Sequence, residues 1–173
     1  MQYNVAQLLK EATGATRSVI VEGGTIGPDG GAVTYQGRVE FLRTHQGLLA
    51  RGCVAALVPL TCSRCLNEFE FPASLDLEEE FFPVVDVNTG RKVAFPVDYE
   101  GTPIDANHVL DLTEILRQYS IAGQPIKPLC RRNCSGLCQE CGADLNQEEC
   151  QCSMAPMDPR WASLAALLNK SDS

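Results

Sequence analysis

Eight cysteines in four close pairs limit what this chain can fold into more than any other feature. They read Cys62-x2-Cys65, Cys130-x3-Cys134, Cys138-x2-Cys141 and Cys150-x-Cys152. Structural zinc takes four ligands in a tetrahedron, with thiolate sulfur about 2.3 Å away. A short turn supplies two of them only if the residues between bend sharply. Cys62-Ser63-Arg64-Cys65 lies between two strand-like runs, where such a turn belongs. Gly142, after Cys141, can take the positive φ that a tight metal turn uses. Four pairs can join into two sites in three ways. The most economical places Cys138, Cys141, Cys150 and Cys152 on one ion, within fifteen residues. Cys62, Cys65, Cys130 and Cys134 then hold a second ion. The first site is a local knuckle. The second is a clasp that closes a long loop, lowers the entropy of the unfolded chain and adds its binding energy to folding.

Other uses of these thiols lead elsewhere. Disulfides require an oxidising compartment, and iron–sulfur clusters use similar ligand sets. A thioredoxin-like Cys62-x-x-Cys65 would open a helix after a strand, whereas strand-like sequence follows here. Cys53 lies in an apolar run and reads as a buried, inert thiol. An all-cysteine shell leaves no open position for substrate. There are two histidines, His45 and His108, both read as surface or turn residues, and no Gly-rich phosphate loop or HExxH. The chemistry points to structure and not to catalysis, with two structural zinc ions as cofactors and no small-molecule substrate.

The chain of 173 residues is 45% hydrophobic, enough for one real core. No apolar run approaches the roughly 18 residues of a membrane span. The first twenty residues lack a basic start followed by an apolar stretch, so no secretory signal is expected. The net charge of −8 argues against binding a polyanion over a wide surface. That charge is uneven: residues 1–60 carry +1, residues 61–125 carry −8 and residues 126–173 carry −1. Glu78, Glu79 and Glu80 are the densest acidic point. They read as a solvated strand edge or as an acidic face for a basic partner such as a ribosomal protein. Lys127, Arg131 and Arg132 surround the first C-terminal cysteines, and Arg64 lies in the other half of the proposed clasp. These four side chains either offset the charge of a zinc–tetrathiolate centre or form a small phosphate-contacting patch for RNA.

Periodicity predicts an α+β fold, an antiparallel meander or partial barrel with flanking short helices. A short N-terminal helix is expected to begin at Asn4, with Val5, Leu8, Leu9 and Ala12 as its stripe and Gly14 as its stop. Val19–Val21 reads as a short strand ending at Gly23-Gly24, and Gly27–Gly30 as a turn. Val33, Tyr35, Val39 and Phe41 alternate with Thr34, Gln36, Arg38 and Glu40, giving a strand with one wet face. A second long run spans about Leu48 to Leu60. Phe69 and Phe71, then Leu75, Leu77 and Phe81 after Pro72, repeat the alternation. Residues 18–82 thus predict four or five strands. Residues 83–110 read as a long loop. A helix over 111–122 is expected to start at Asp111 in a capping box with Glu114. A last helix reads from Asp158 and Pro159 through Trp161, Leu164, Ala165 and Leu168. Residues 1–125 are read as the mainly antiparallel domain. Residues 126–173 are read as a zinc-binding segment and terminal helix packed on it.

Several of these segments resemble one known family. Leu60-Thr61-Cys62-Ser63-Arg64-Cys65 is similar to the cysteine pair of the YceD family, the large ribosomal RNA subunit accumulation proteins. The helix from Asp111 and the following Pro125-Ile126-Lys127-Pro128-Leu129-Cys130 resemble its central segment. Gly136 to Asn146, Cys150-Gln151-Cys152 and Asp158-Pro159-Arg160-Trp161 resemble the C-terminal signature of its cysteine-rich branch. The resemblance implies a cytoplasmic bacterial protein or a relative of plastid proteins. It implies a non-enzymatic factor in large-subunit biogenesis that binds ribosomal RNA, a ribosomal protein, or both. The alternatives carried with it are an acidic chaperone for a basic ribosomal protein and a CxxC thiol oxidoreductase.

Overall fold

The computed structural model describes residues 1–27, 31–93, 101–152 and 160. The meander comes first from alternation. β2 (Thr16–Ile26), β3 (Ala32–Arg43), β4 (Leu48–Thr61) and β5 (Glu68–Pro83) pair antiparallel in sequence order. Their inward residues form one buried face: Val21, then Val33, Tyr35, Val39 and Phe41, then the even positions of β4 from Leu48 to Leu60, then Ala73, Leu75, Leu77 and Phe81. Successive side chains point to opposite faces, so the same pattern leaves Arg38, Glu40, Arg51 and Glu78 on the outer face. The sheet is open. β6 (Thr102–Ile104) adds a fifth strand, parallel to the end of β5 at residues 81–83. The fold is therefore a mixed sheet with two short helices and not a barrel.

α1 (Ala6–Lys10) and α2 (Thr113–Ala122) cover the inner face. Val5, Leu8 and Leu9 join the core from one side, and Leu112, Ile115 and Leu116 from the other. Ser120 is the buried polar residue of this interface, and its hydroxyl lies 3.3 Å from the Tyr35 hydroxyl. β1 (Gln2–Asn4) pairs antiparallel with β7 (Val109–Asp111) as a separate two-stranded ribbon leading into the helices.

Several boundaries differ from the sequence reading, each for a local reason. α1 ends at Lys10, so Ala12 lies outside it and is exposed, and Asn4 Oδ1 accepts from Ala6 N at 3.1 Å. β2 continues through Gly23 and Gly24, because eleven-residue pairing with β3 holds both glycines in register. β5 runs unbroken through Pro72. β6 joins only its far end, so Pro72 sits on an edge among the described residues, where a missing N–H is tolerated. The capping box does not form. Asp111 Oδ1 accepts from Thr113 N at 2.8 Å, while Glu114 turns to Arg117 at 2.6 Å. Residues 83–110 contain ordered structure that periodicity cannot reveal. A turn capped by Asp86, whose Oδ1 accepts from Thr89 N at 2.7 Å, a Val85–Lys92 bridge and two three-residue strands lie there. The terminal helix read from Asp158 to Leu168 and most of the turn at 27–30 lie outside the described residues.

The centre of the sheet depends on small residues, Gly37 and Gly52, where β3 and β4 approach closely. Gly37 occupies the inward slot between Tyr35 and Val39, opposite Val54. A Cβ there would lie 2.6 Å from the Cys53 carbonyl oxygen and 2.7 Å from Val54 Cα. Both are backbone atoms of a paired strand and have little room to retreat. Gly37→Ala is expected to destabilise the fold by about 1–3 kcal/mol through overpacking. An unchanged urea midpoint would show that β3 and β4 do not approach this closely.

Candidate metal centres

Cys62 lies just past the end of β4, continues its inward parity two residues beyond buried Leu60, and is fully buried. The chain then reverses sharply. Leu66 N donates to Cys62 O at 3.0 Å and Cys62 N to Asn67 O at 2.9 Å, so the turn brings Cys65 back beside Cys62. After α2 the chain returns to this turn. Ser63 N donates to Pro128 O at 2.8 Å, and Arg64 Nη1 to Cys134 O at 2.8 Å. Cys130 and Cys134 thereby reach the same point. Cys62 Sγ lies 3.8 Å from Cys134 Sγ, and Cys65 Sγ 3.7 Å from Cys130 Sγ. The edge of a tetrahedron with metal–sulfur bonds of about 2.3 Å is about 3.8 Å.

The second group forms at the tip of a short hairpin. Leu137 bridges Asp144, Cys138 N donates to Ala143 O at 2.8 Å, and Gly142 N donates to Cys138 O at 2.9 Å. Gly142 has φ +76°, as its place after Cys141 requires. Cys150 and Cys152 return to this tip. In each group the four sulfurs lie within 4.8 Å of one another. The thiols divide as Cys62, Cys65, Cys130 and Cys134 against Cys138, Cys141, Cys150 and Cys152. All nine cysteines are free thiols.

The acid–base chemistry of both groups suits a bound cation. Backbone N–H groups of Cys130, Cys65 and Arg64 point at the Cys62 sulfur and lower it to about 6. Lost hydration and the neighbouring thiols push Cys130 up to about 12. In the second group the N–H groups of Cys141 and Glu140 lower Cys138 to about 6, while the Cys141 thiol and lost hydration push Cys152 up to about 12. One thiolate forms readily in each group, and its charge opposes the last. A divalent ion at the centre lets all four be thiolates together. The donor set fits: four sulfurs, tetrahedral spacing and no histidine or carboxylate ligand suit zinc or an iron–sulfur cluster better than a hard cation.

Of the four basic side chains singled out from sequence, two have structural work. Arg64 holds the Cys134 carbonyl, and Arg131 Nη2 donates to Asn146 Oδ1 at 2.6 Å. Lys127 and Arg132 are exposed at the same end and make no ion pair among the described residues. The acidic triplet does not form one face. Glu78 points outward to Arg51 at 2.9 Å, while Glu79 points to the helix side, 3.3 Å from the Tyr119 hydroxyl. Cys53 is exposed on the outer face, 3.2 Å from Ser74 Oγ, because alternation outweighs the apolar run around it. His45 is an exposed turn residue, and His108 is half-buried in the turn before β7.

Sequence reasoning missed the polar residues that join the two groups. The Asp144 carboxylate accepts from Asn67 Nδ2 at 3.0 Å, from Asn146 N and Nδ2, and from Gln147 Nε2. Those bonds, led by Asn146, hold it below the usual carboxylate range. The only signal was the Asp-Leu-Asn run just after Gly142.

Comparison with known proteins matches this architecture to one family. Residues 50–168 match the family described as "Large ribosomal RNA subunit accumulation protein YceD", a span that includes both cysteine groups. The chain belongs to the YceD family. An uncharacterised protein of Mycobacterium tuberculosis is 34% identical over 139 residues, covering 76% of this chain and 59% of its own length. A Mycobacterium leprae relative is 29% identical over 140 residues, covering 80% of this chain and 60% of its own. The "Large ribosomal RNA subunit accumulation protein YCED homolog 1, chloroplastic" of Arabidopsis thaliana is 28% identical, covering 81% of this chain and 50% of its own. This YceD chain thus spans about 59% of the length of the first mycobacterial relatives. No solved structure matches it. No helix among its described residues is long and apolar enough to cross a membrane.

One residue of the first turn carries strain. Leu66 follows Cys65 as Gly142 follows Cys141, yet it holds φ 59° with its side chain 63% exposed. Left-handed backbone costs a non-glycine residue roughly 1–2 kcal/mol, and glycine returns about 0.5–1 kcal/mol of that as unfolded-state entropy. Leu66→Gly is expected to raise stability by roughly 0.5–1 kcal/mol. A fall in the thermal midpoint would show that Leu66 makes a contact the exposure does not reveal.

Proposed function

We propose that this chain is a non-enzymatic factor in large ribosomal subunit biogenesis that supports accumulation of large-subunit ribosomal RNA. The observation that carries the reading is the family match across both cysteine groups. Two structural zinc ions complete the fold, one bound by Cys62, Cys65, Cys130 and Cys134, the other by Cys138, Cys141, Cys150 and Cys152. The first ion ties residues 126–173 to residues 1–125 as one domain. The chain acts in the compartment where ribosomes assemble, with no membrane partner and no small-molecule substrate.

Ribosomal RNA is the favoured partner, contacted at the cysteine end. Lys127 and Arg132 are the phosphate contacts, because both are exposed and uncommitted among the described residues. Arg64 and Arg131 support the same rim while bonded to Cys134 O and Asn146. A thiol oxidoreductase is disfavoured, since Cys62 and Cys65 lie in a strand-to-strand turn with two further thiols closing on them. An acidic docking face is disfavoured because strand alternation splits Glu78 from Glu79.

Affinity purification of the chain from its own cells, with sequencing of bound RNA and identification of bound proteins, tests the reading. Large-subunit precursor RNA is expected. One basic ribosomal protein without RNA would replace RNA by a chaperone role, and recovery of neither would refute direct action. A second prediction concerns the contacts. Lys127→Glu with Arg132→Glu is expected to lower affinity for the recovered RNA and to flatten the log–log salt dependence by about 2, one per lost phosphate contact. An unchanged salt slope would exclude this rim. A third concerns the metal. The reduced protein is expected to carry two zinc ions per chain, and a strong chelator should release them and lower the thermal midpoint. A folded, metal-free protein with an unchanged midpoint would end the zinc assignment.

A further inference from the structure

The two cysteine groups are not independent modules. The Cys138–Cys141 tip closes a hairpin whose base is the Leu137–Asp144 bridge. That base lies against the turn of the first group. Leu137 N donates to Arg64 O at 3.1 Å, and Asn67 Nδ2 donates to Asp144 Oδ2 at 3.0 Å. Gly136, at φ +78°, permits the approach, because a Cβ there would meet Arg64 O at 3.1 Å. Just past the hairpin, Asn146 reaches into the first group. Its Nδ2 lies 3.4 Å from Cys134 Sγ and 2.6 Å from Asp144 Oδ1. Its Oδ1 accepts from Ser135 N at 2.8 Å and from Arg131 Nη2 at 2.6 Å. One side chain from the second group's loop therefore orients a sulfur of the first, the backbone after it, and an arginine beside Cys130.

We propose that the two centres load metal cooperatively, with Asn146 as the positioning residue that couples them. The inference rests on the zinc reading above and adds what that reading leaves open, the order and linkage of loading. Metal at the second centre fixes the hairpin and so fixes Asn146. Its Nδ2, 3.4 Å from Cys134 Sγ, then orients that sulfur toward the centre, and outer-shell donors of this kind change metal affinity by about 10- to 100-fold. Linkage makes the effect reciprocal, so metal at the first centre also favours the second. The burial is unequal. Cys62, Cys65 and Cys134 are buried and Cys130 is exposed, whereas no thiol of the second group is buried. Metal therefore leaves from the second centre first, and its departure loosens the clasp that ties the C-terminal segment to the sheet.

Native mass spectrometry of the full, reduced chain titrated with zinc tests this directly. With one equivalent of zinc, the expected spectrum is dominated by metal-free and two-zinc chains, with the one-zinc chain a minority. Asn146→Ala should make the one-zinc chain the major species at one equivalent, while excess zinc still fills both centres. Asn67→Ala, which cuts only the Asn67–Asp144 link, should shift the spectrum the same way and serves if Asn146→Ala does not fold. A wild-type spectrum dominated by the one-zinc chain would overturn the coupling and leave the zinc reading intact. An Asn146→Ala spectrum identical to wild type would remove Asn146 from the coupling. No bound zinc at any ratio would refute the zinc reading and the coupling with it.

Discussion

The convergence of four sulfurs from two turns is the interaction on which the rest of this structure depends. Cys65 and Cys130 are 65 positions apart in the chain, and Cys62 and Cys134 are 72 apart. Among the described residues, the C-terminal segment meets the 62–67 turn through these sulfurs, a few hydrogen bonds and a small apolar cluster. The apolar cluster at this end consists of Cys62, Cys65 and Cys134 with Phe69, Leu129 and Leu137 against them. That is far too little surface to order a segment by burial alone. The main core, built from the inner face of the sheet and the two helices, forms a separate cluster. A metal at the first centre would supply what burial does not, because its binding energy is folding energy.

The sheet places this centre by simple parity. Even positions of β4 point inward from Leu48 to Leu60, and Cys62 is the next even position. The first ligand of the clasp is thus delivered by the same alternation that builds the core. The reversal at 62–67 then hands the chain to β5 with Phe69 and Phe71 back on the inner side. The site and the fold are one construction at this point, which is why the cysteine turn cannot be read as a detachable motif.

Much of this was legible in the residues. The β3 alternation of Val33, Tyr35, Val39 and Phe41 is buried as written. Of the apolar stripe Leu112, Ile115, Leu116 and Tyr119 that the spacing predicts for the helix over 111–122, the first three lie in the core and Tyr119 packs against it partly buried. The grouping of the thiols follows the shortest closure of the chain, the pairing the spacing favoured. What was not legible has physical reasons. Cys53 sits in an apolar run, but strand parity turned it outward. Three-residue strands such as β6 and β7 are too short to show a period and are fixed by their partners. Glu114 matched a capping box, yet Arg117 one turn away offered a charged partner that outcompeted the cap. The link through Asn67, Asp144 and Asn146 spans up to 77 positions. Short polar residues in turns carry no periodic signal of such a reach.

The central claim is that both centres are closed, all-sulfur metal sites. X-ray absorption at the zinc edge on the purified, reduced chain tests it most directly. The account predicts a shell of four sulfurs per zinc at about 2.3 Å with no nitrogen or oxygen neighbour. A shell containing nitrogen or oxygen, or an average of fewer than four sulfurs per zinc, would contradict it.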